Sequence, residues 1–107
     1  MQKVLSLVGL ARKAGKVSLG EGPSKDAVRF GKAKLVIIAE DASDNTKKSI
    51  TDSCKYYNVK YYIAFTKETL GHAVGNSINA AATIIDDGFA TTIEKHLQQS
   101  IDGGDLL

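Results

Sequence analysis

The chain has 107 residues, of which 43% are hydrophobic and 24% charged. This length supports one core, so we expect a single domain at residues 1–100 and a flexible C-terminal tail at 101–107. One cysteine excludes a disulfide framework and a cysteine metal cluster. The apolar N-terminus is interrupted by polar residues, which argues against a membrane span or a signal peptide. We expect a cytoplasmic protein with no membrane partner and no cofactor.

The net charge of +2 conceals an asymmetry along the chain. Residues 1–60 contain twelve of the fourteen Lys and Arg but six of the twelve acids. The remaining residues contain two lysines and six acids. A basic half is typical of a protein that binds a polyanion, although two ordinary solvated faces would give the same count.

The N-terminal third predicts a helix, a short strand and a second helix. The first helix has an apolar stripe made of Val4, Leu5, Leu7, Val8 and Ala11. It should end at Gly15, and residues 16–19 form a short strand candidate. The second helix has Pro23 in its first turn and ends at Gly31, with Ala27, Val28 and Phe30 facing the core.

The stretch "KAKLVIIAED", residues 32–41, predicts a strand buried on both faces. Residues 35–39 are apolar without alternation and too few for an independent helix. Such a run usually lies in a largely parallel sheet with helices on both sides. Lys32 and Lys34 precede this strand, and Glu40 and Asp41 follow it.

Helix and strand patterns continue to alternate in the second half. A helix at 45–57, starting near Asp44, should place Ile50, Cys54 and Tyr57 on one side. Residues 60–65 and 80–86 are strand candidates, and Thr66 can cap a short helix between them. Asp87 is expected to cap a last helix with Phe89, Ile93 and Leu97 on one face. The fold class is therefore α/β, a three-layer α/β/α sandwich with a mixed four-stranded sheet.

Catalytic and metal sites are not predicted. Glu40 and Asp41 follow a strand but have no His or Ser partner, so a role at a helix start is favoured. The two histidines are far apart, and Cys54 has no recognisable partner motif. We expect the protein not to be an enzyme.

Two glycine-containing stretches are candidates for binding. "GEGPSK", residues 20–25, is too short for a Walker loop, and Pro23 removes an amide, but glycines before a helix can expose N–H groups to a phosphodiester. "TKETLGHAVGNSIN", residues 66–79, has Gly71 and Gly75 before a small polar loop, which suits either a docking loop or a plain helix C-cap.

The segment "KYYNVKYY", residues 55–62, interleaves basic and aromatic residues as single-strand binders do. Because it spans a helix end and a strand, its four tyrosines need not form one surface. Packing with exposed hydroxyl groups is the favoured interpretation.

These motifs resemble the ribosomal kink-turn RNA-binding family, which includes the archaeal large-subunit proteins seven-Ae and thirty-e. The resemblance rests on "GKAKLVIIAEDAS", "LGHAVG" and, with small bacterial members of the YlxQ type, "DGFA" at 87–90 and "NT" at 45–46. It covers residues 4–97. It implies an α/β/α sandwich that binds RNA through three segments.

In the first implied segment, Gly20 matches the glycine of a Gly-x-Asn-Glu-x-x-Lys pattern, but Gly22, Pro23 and Asp26 replace the Asn, Glu and Lys. Lys25 and Arg29 can supply charge from neighbouring positions, but they cannot restore base readout. Lys67 matches a basic residue of the second segment. In the third segment, Ile78 is the best candidate for packing on a flipped-out nucleotide.

We therefore expect a non-enzymatic, ribosome-associated RNA-binding protein, a monomer, that recognises structured or kinked RNA, with ribosomal proteins as further partners. The alternative is a protein-interaction adaptor on the same fold that has largely lost RNA binding, and a nucleotide-dependent enzyme ranks last. The predicted RNA-binding residues are Gly20, Glu21, Gly22, Lys25, Arg29, Lys32, Lys34, Lys67, Asn76, Ser77 and Ile78.

Overall fold

The computed structural model describes the backbone of residues 1–101 and the side chains of residues 1–99. Over these residues helices and strands alternate as predicted, and their bounds are α1 (Gln2–Lys13), β1 (Val17–Leu19), α2 (Glu21–Arg29), β2 (Leu35–Ile38), α3 (Asp44–Tyr57), β3 (Tyr61–Ile63), α4 (Lys67–Ala73), β4 (Ala81–Ile84) and α5 (Asp87–Ile101). Helix α5 extends to Ile101, one residue beyond the predicted domain boundary at residue 100. Residues 102–107 lie outside the described residues.

The four strands form one mixed sheet in the order β1-β4-β2-β3. Strand β4 lies between β1 and β2 and is antiparallel to both, whereas β2 and β3 are parallel. The predicted mixed four-stranded sheet is confirmed. The largely parallel pairing suggested by the apolar run is wrong, because burial on both faces requires only that helices cover the sheet, and β4 fills a central position in the opposite direction.

Helices cover both faces of the sheet, which confirms the three-layer sandwich. Helices α2 and α3 pack on each other on one face, and α1 packs on α4 and α5 on the other. All residues of β2 and β4 are buried between these layers. Each large aliphatic side chain buried there contributes about 1.5–3 kcal/mol of transfer free energy.

Polar side chains fix where the helices begin. Ser43 Oγ accepts a hydrogen bond from Thr46 N–H at 3.1 Å, and Thr66 Oγ1 accepts one from Thr69 N–H at 3.1 Å. The predicted cap of the last helix is wrong by one position. Asp86, not Asp87, accepts the hydrogen bond from Phe89 N–H, at 2.9 Å. An N-cap side chain reaches the amide three residues on, and Asp87 is already the first helical residue.

Phe30, which was expected to face the core, does not, and Tyr57 is also largely outside it. Phe30 is 66% exposed, because α2 ends at Arg29 and the chain turns away at Gly31, where φ is +76°. Tyr57 is 43% exposed, although Ile50 and Cys54 on the same helix are buried. Tyr57 is the last residue of α3, where the helix ends at Asn58.

Among residues 1–101, no helix has the length and apolarity that a membrane crossing requires. The same described part of the chain brings no three His, Cys, Asp or Glu residues together as a metal site.

Candidate functional site

Most of the predicted binding residues lie in the loops and helix starts at one edge of the sheet. Strands β1 and β2 are both antiparallel to β4 and β3 is parallel to β2, so β1, β2 and β3 end at the same edge, where β4 begins. We call this the loop edge. Gly20 follows β1, Asp41 follows β2, Lys67 follows β3 and residues 76–78 precede β4. Ligands of α/β sheets commonly bind at such carboxyl ends of strands.

Gly20 turns the chain sharply into α2. Its φ of 92° and ψ of 171° favour glycine, and its N–H donates to Ala81 O at 2.9 Å. No side chain caps this helix start. The N–H groups of Glu21 and Gly22 therefore have no intrahelical acceptor, and they add to the positive end of the helix dipole. This helix start can accept an anionic group such as a phosphate.

The loop at residues 76–78 is fixed by close packing on α4. Asn76 N–H donates to Gly71 O at 2.8 Å and Gly75, with φ +83°, adopts the left-handed conformation, which together form a Schellman helix end. A Cβ on Gly71 would lie 2.6 Å from Ile78 Cα, so only glycine lets the loop cross the helix this closely. The loop presents Ile78 to solvent with 62% of the residue exposed. The "LGHAVG" motif thus both ends α4 and seats an exposed apolar side chain.

Lys67 is held at the loop edge by hydrogen bonds on both sides of its backbone. Its N–H donates to Asp41 Oδ1 at 2.7 Å, and its carbonyl accepts from Asn79 N–H at 2.9 Å. Asp41 is an acid at the start of α4, which complements the helix dipole. These bonds join the loop after β2, the start of α4 and the loop before β4 into one unit.

A second set of hydrogen bonds joins the starts of α2 and α3. Thr46 Oγ1 donates to Glu21 Oε1 at 2.9 Å and accepts from Ser43 Oγ at 2.9 Å. The carboxylate of Glu21 thus sets the position of α3 relative to α2. An RNA contact by Glu21 would be through its backbone N–H, since its side chain is occupied.

The loop edge contains both acidic and basic side chains. Glu21 and Asp41 are engaged in the hydrogen bonds described above, and Glu40 is exposed. Lys47 Nζ lies 3.1 Å from Glu40 O, which brings a positive charge beside that acid. Lys25 and Lys67 add two further cations. The first turns of α3 and α4 add two more acids, Asp44 and Glu68, so five acids and three lysines lie near this edge. A polyanion would therefore be bound here by the individual lysines and the uncapped N–H groups of α2, not by a net positive charge.

The structure brings together eight of the predicted residues, which we call the cradle: Gly20, Glu21, Gly22, Lys25, Lys67, Asn76, Ser77 and Ile78. The other three lie elsewhere. Arg29 is in the last turn of α2, and Lys32 and Lys34 precede β2 at the opposite edge of the sheet. Lys34 Nζ lies 3.9 Å from Asp87 there. An RNA that occupies the cradle does not meet Lys32 or Lys34 through the same edge, so these two remain predictions as separate contacts.

The tyrosines of residues 55–62 do not form one surface. Tyr56 and Tyr57 end α3, whereas Tyr61 and Tyr62 lie on the edge strand β3 and are partly buried. Tyr62 Oη donates to Glu94 Oε2 at 3.0 Å. The expectation that the helix end and the strand separate these residues matches the geometry.

Cys54 is unsuited to nucleophilic chemistry. Burial raises the pKa of its thiol to about 11. The thiol is therefore protonated at neutral pH, and a thiolate is the form that reacts.

Three residues that position the site were not predicted as part of it: Thr46, Asn79 and Asp41, the last of which was expected only at a helix start. Asp41 and Asn79 hold the backbone of Lys67, and Thr46 holds Glu21. The signals were an acid directly after a buried strand for Asp41, a small polar loop for Asn79 and a position in the first turn of a helix for Thr46. Their partners are distant in sequence, so the pairing follows only from the fold.

The fold and the loop edge define a class of small α/β/α sandwiches in which a glycine-led helix start and an exposed apolar loop lie at the same edge of the sheet. Residues 2–94 match the model of the family described as "Ribosomal protein L7Ae/L30e/S12e/Gadd45 family". The chain belongs to this family, which confirms the resemblance found in the sequence.

Named relatives are similar over most of their length. The chain is 40% identical over 87 residues to the RNA-binding protein YlxQ of Bacillus subtilis (strain 168), covering 81% of this chain and 87% of that protein. It is 39% identical to the RNA-binding protein YlxQ of Enterococcus faecium, covering 83% and 85%. It is 32% identical to the large ribosomal subunit protein eL8 of Cenarchaeum symbiosum (strain A), covering 92% and 79%.

Two solved structures share the fold. A protein of unknown function from Bacillus halodurans C superposes with a TM-score of 0.84 at 33% identity, covering 87% of this chain and 94% of that one. The Giardia lamblia 15.5kD RNA binding protein has a TM-score of 0.75 at 28% identity, covering 88% and 81%. The named relatives are RNA-binding and ribosomal proteins, and this membership confirms the prediction that the chain is not an enzyme.

Proposed function

We propose that this protein binds structured RNA through the cradle and that it associates with the ribosome in the cytoplasm. The observation that supports it best is the shared position of the α2 start and the Ile78 loop. Gly20 N–H donates to Ala81 O, three residues after Ile78 in the chain, so the uncapped α2 start and the exposed isoleucine lie at the same edge of the sheet. The names of the YlxQ relatives and of eL8 support RNA and the ribosome as partners.

The two parts of the cradle suit different parts of a kinked RNA. The free N–H groups of Glu21 and Gly22, with Lys25 nearby, suit phosphates, which fix position without reading sequence. Ile78 suits the face of a base that has left its stack, since irregular RNA is recognised through splayed bases. We infer a preference for kinked RNA with an extruded nucleotide, recognised by shape more than by sequence.

A titration with labelled RNAs tests this proposal. The ligands are a kink-turn RNA, a plain duplex of the same length and a ribosomal RNA fragment, each at several salt concentrations. We expect the kink-turn to bind more tightly than the duplex, with a log–log slope of about −0.7 to −0.9 per phosphate contacted. Equal binding of kink-turn and duplex would refute the shape preference, and no binding of any structured RNA would refute RNA binding.

Matched variants separate the two contacts. Ile78→Asp should weaken binding of the kink-turn by about tenfold or more, because it removes apolar burial, and should affect the duplex little. Thr91→Asp is the control, since it adds the same charge on α5, near Asp87 and Lys34 at the opposite edge. Lys25→Glu should weaken all RNAs about equally. Equal losses in Ile78→Asp and Thr91→Asp would show that charge, not base packing, causes the effect.

Ribosome association needs a separate measurement. The protein should sediment with purified ribosomal subunits, and Lys25→Glu should reduce the bound fraction. Partners captured from lysate that survive ribonuclease treatment, together with no binding to subunits, would favour a protein adaptor instead.

A further inference from the structure

The groove between α2 and α3 leads away from the cradle. It has a volume of about 720 Å³ and is lined by Glu21, Gly22, Lys25, Asp26, Arg29, Ser53 and Tyr57. Helices α2 and α3 run in the same direction, because each connects two parallel strands, and their starts are joined by the hydrogen bond between Glu21 and Thr46. The groove therefore begins at the cradle and ends where both helices end.

Aromatic rings are exposed at the far end of this groove. Tyr56 is 82% exposed, Phe30 66% and Tyr57 43%. The rings of Tyr56 and Tyr57 are edge-to-face with centroids 4.8 Å apart, and the Arg29 guanidinium lies 5.5 Å from the Phe30 centroid. We call these four residues the aromatic end. The three aromatic rings contribute little to the core, so their faces are free to stack on a ligand.

The charged residues of the groove favour a nucleic acid over an apolar protein segment. Two cations, Lys25 and Arg29, line it with the acids Glu21 and Asp26, and the Glu21 carboxylate is held at the cradle end by its hydrogen bond from Thr46. Cations with exposed aromatic rings are the combination that single-stranded nucleic acid binds, through phosphates and stacked bases respectively.

We propose that the groove and the aromatic end bind a short single-stranded stretch of RNA that continues from the structured element held in the cradle. Lys25 and Arg29 contact its phosphates, and Tyr57 and Phe30 stack on its bases. This inference rests on the proposed function for the structured part of the ligand. It adds a second site, with a different chemistry, at the other end of α2.

The test compares a compact kink-turn RNA with the same RNA extended by about five uridines at its 5′ or 3′ end. We expect one of the two extensions to tighten binding about tenfold through a stacked base. Tyr57→Ala and Phe30→Ala should each lose most of this gain and bind the compact RNA as the wild type does. Tyr57→Phe keeps the ring and should keep the gain. Tyr56→Ala removes the ring that packs edge-to-face on Tyr57, at a position that is 82% exposed, so it should reduce the gain without affecting the fold.

Tyrosine fluorescence adds an independent readout, because the chain has four tyrosines and no tryptophan. An oligouridine should quench the wild type more than the variant lacking Tyr56 and Tyr57. If neither extension tightens binding, or if the alanine variants retain the gain, the second site is overturned while cradle binding stands. If no structured RNA binds but oligouridine quenches through Tyr57, the proposed function fails and the groove site stands. If neither binds, both fail.

Discussion

Replacement of Gly71 by alanine tests whether close backbone packing holds the exposed loop in place. Gly71 lies in α4, directly beneath Ile78. A Cβ at this position would lie 2.6 Å from Ile78 Cα and 2.8 Å from Ile78 C and N. All three are backbone atoms, so no side-chain rotation can relieve the contact.

The expected change in the free energy of unfolding of Gly71→Ala combines two opposing effects. Alanine has a higher helix propensity than glycine by about 1 kcal/mol, which favours the variant. Ordinary van der Waals contact needs a loop shift of roughly 1 Å, and overpacking of this kind costs about 1–3 kcal/mol. The shift also strains the bonds from Asn76 to Gly71 and from Asn79 to Lys67. We expect a net loss of about 1–2 kcal/mol and a melting temperature lower by about 4–15 °C.

Thermal and urea denaturation measure the stability, and titration with a kink-turn RNA measures the loop. Gly22→Ala is the matched control, because Gly22 is also helical but has no atom near the added Cβ. This control should be neutral or slightly more stable. If Gly71→Ala were as stable as Gly22→Ala and bound RNA as the wild type does, the close approach would not determine the loop.

Three further predictions concern the scaffold. Asp86→Ala should lower the free energy of unfolding in urea by about 1 kcal/mol, because Asp86 caps α5. Asp87→Ala should lower it little, and the reverse order would contradict the observed cap. Thr46→Val should cost about 0.5–1.5 kcal/mol because it removes the donor to Glu21, and an unchanged unfolding midpoint would show that this bond adds no net stability. The Cys54 thiol should resist alkylation at neutral pH until the protein unfolds. Because burial raises the pKa of this thiol from 9.0 to about 11, its contribution to stability should be complete below pH 9 and fall as the pH rises towards 11. If the stability of Cys54→Ala depended on pH in the same way as that of the wild type does, this reasoning would be contradicted.

The sequence predicted the layers of this fold well because burial alone determines them. The apolar run of residues 35–39 required cover on both faces, and helices α2 and α3 on one side and α1, α4 and α5 on the other provide it. Strand direction was harder to predict. An apolar strand is equally well buried whether its neighbour is parallel or antiparallel, so the position of β4 between β1 and β2 left no mark on the hydrophobic pattern.

The candidate site was predictable where backbone geometry demands a residue type. Gly20 and Gly71 are such positions, because a positive φ or a close approach leaves few alternatives. A lysine has no comparable backbone requirement, so its position in the fold cannot be predicted in this way. Lys32 and Lys34 are as basic as Lys25, yet they lie at the other edge, because the strand they precede runs the full depth of the sheet. The number of lysines can be read from the sequence, but the edge of the sheet at which each one lies follows only from the topology.

The central position of β4 has a consequence for synthesis of the chain. Strand β1 pairs with β4 alone, and β4 is the last strand in sequence. While the chain emerges from N to C terminus, β2 and β3 can pair early, but β1 must wait for residues 81–84. Gly20 gains its acceptor, Ala81 O, only at that moment. A nascent or truncated chain that stops before β4 therefore has the basic half but lacks the acceptor of Gly20 and the partner of β1. Under the proposed function, such a chain should bind RNA only through unspecific charge.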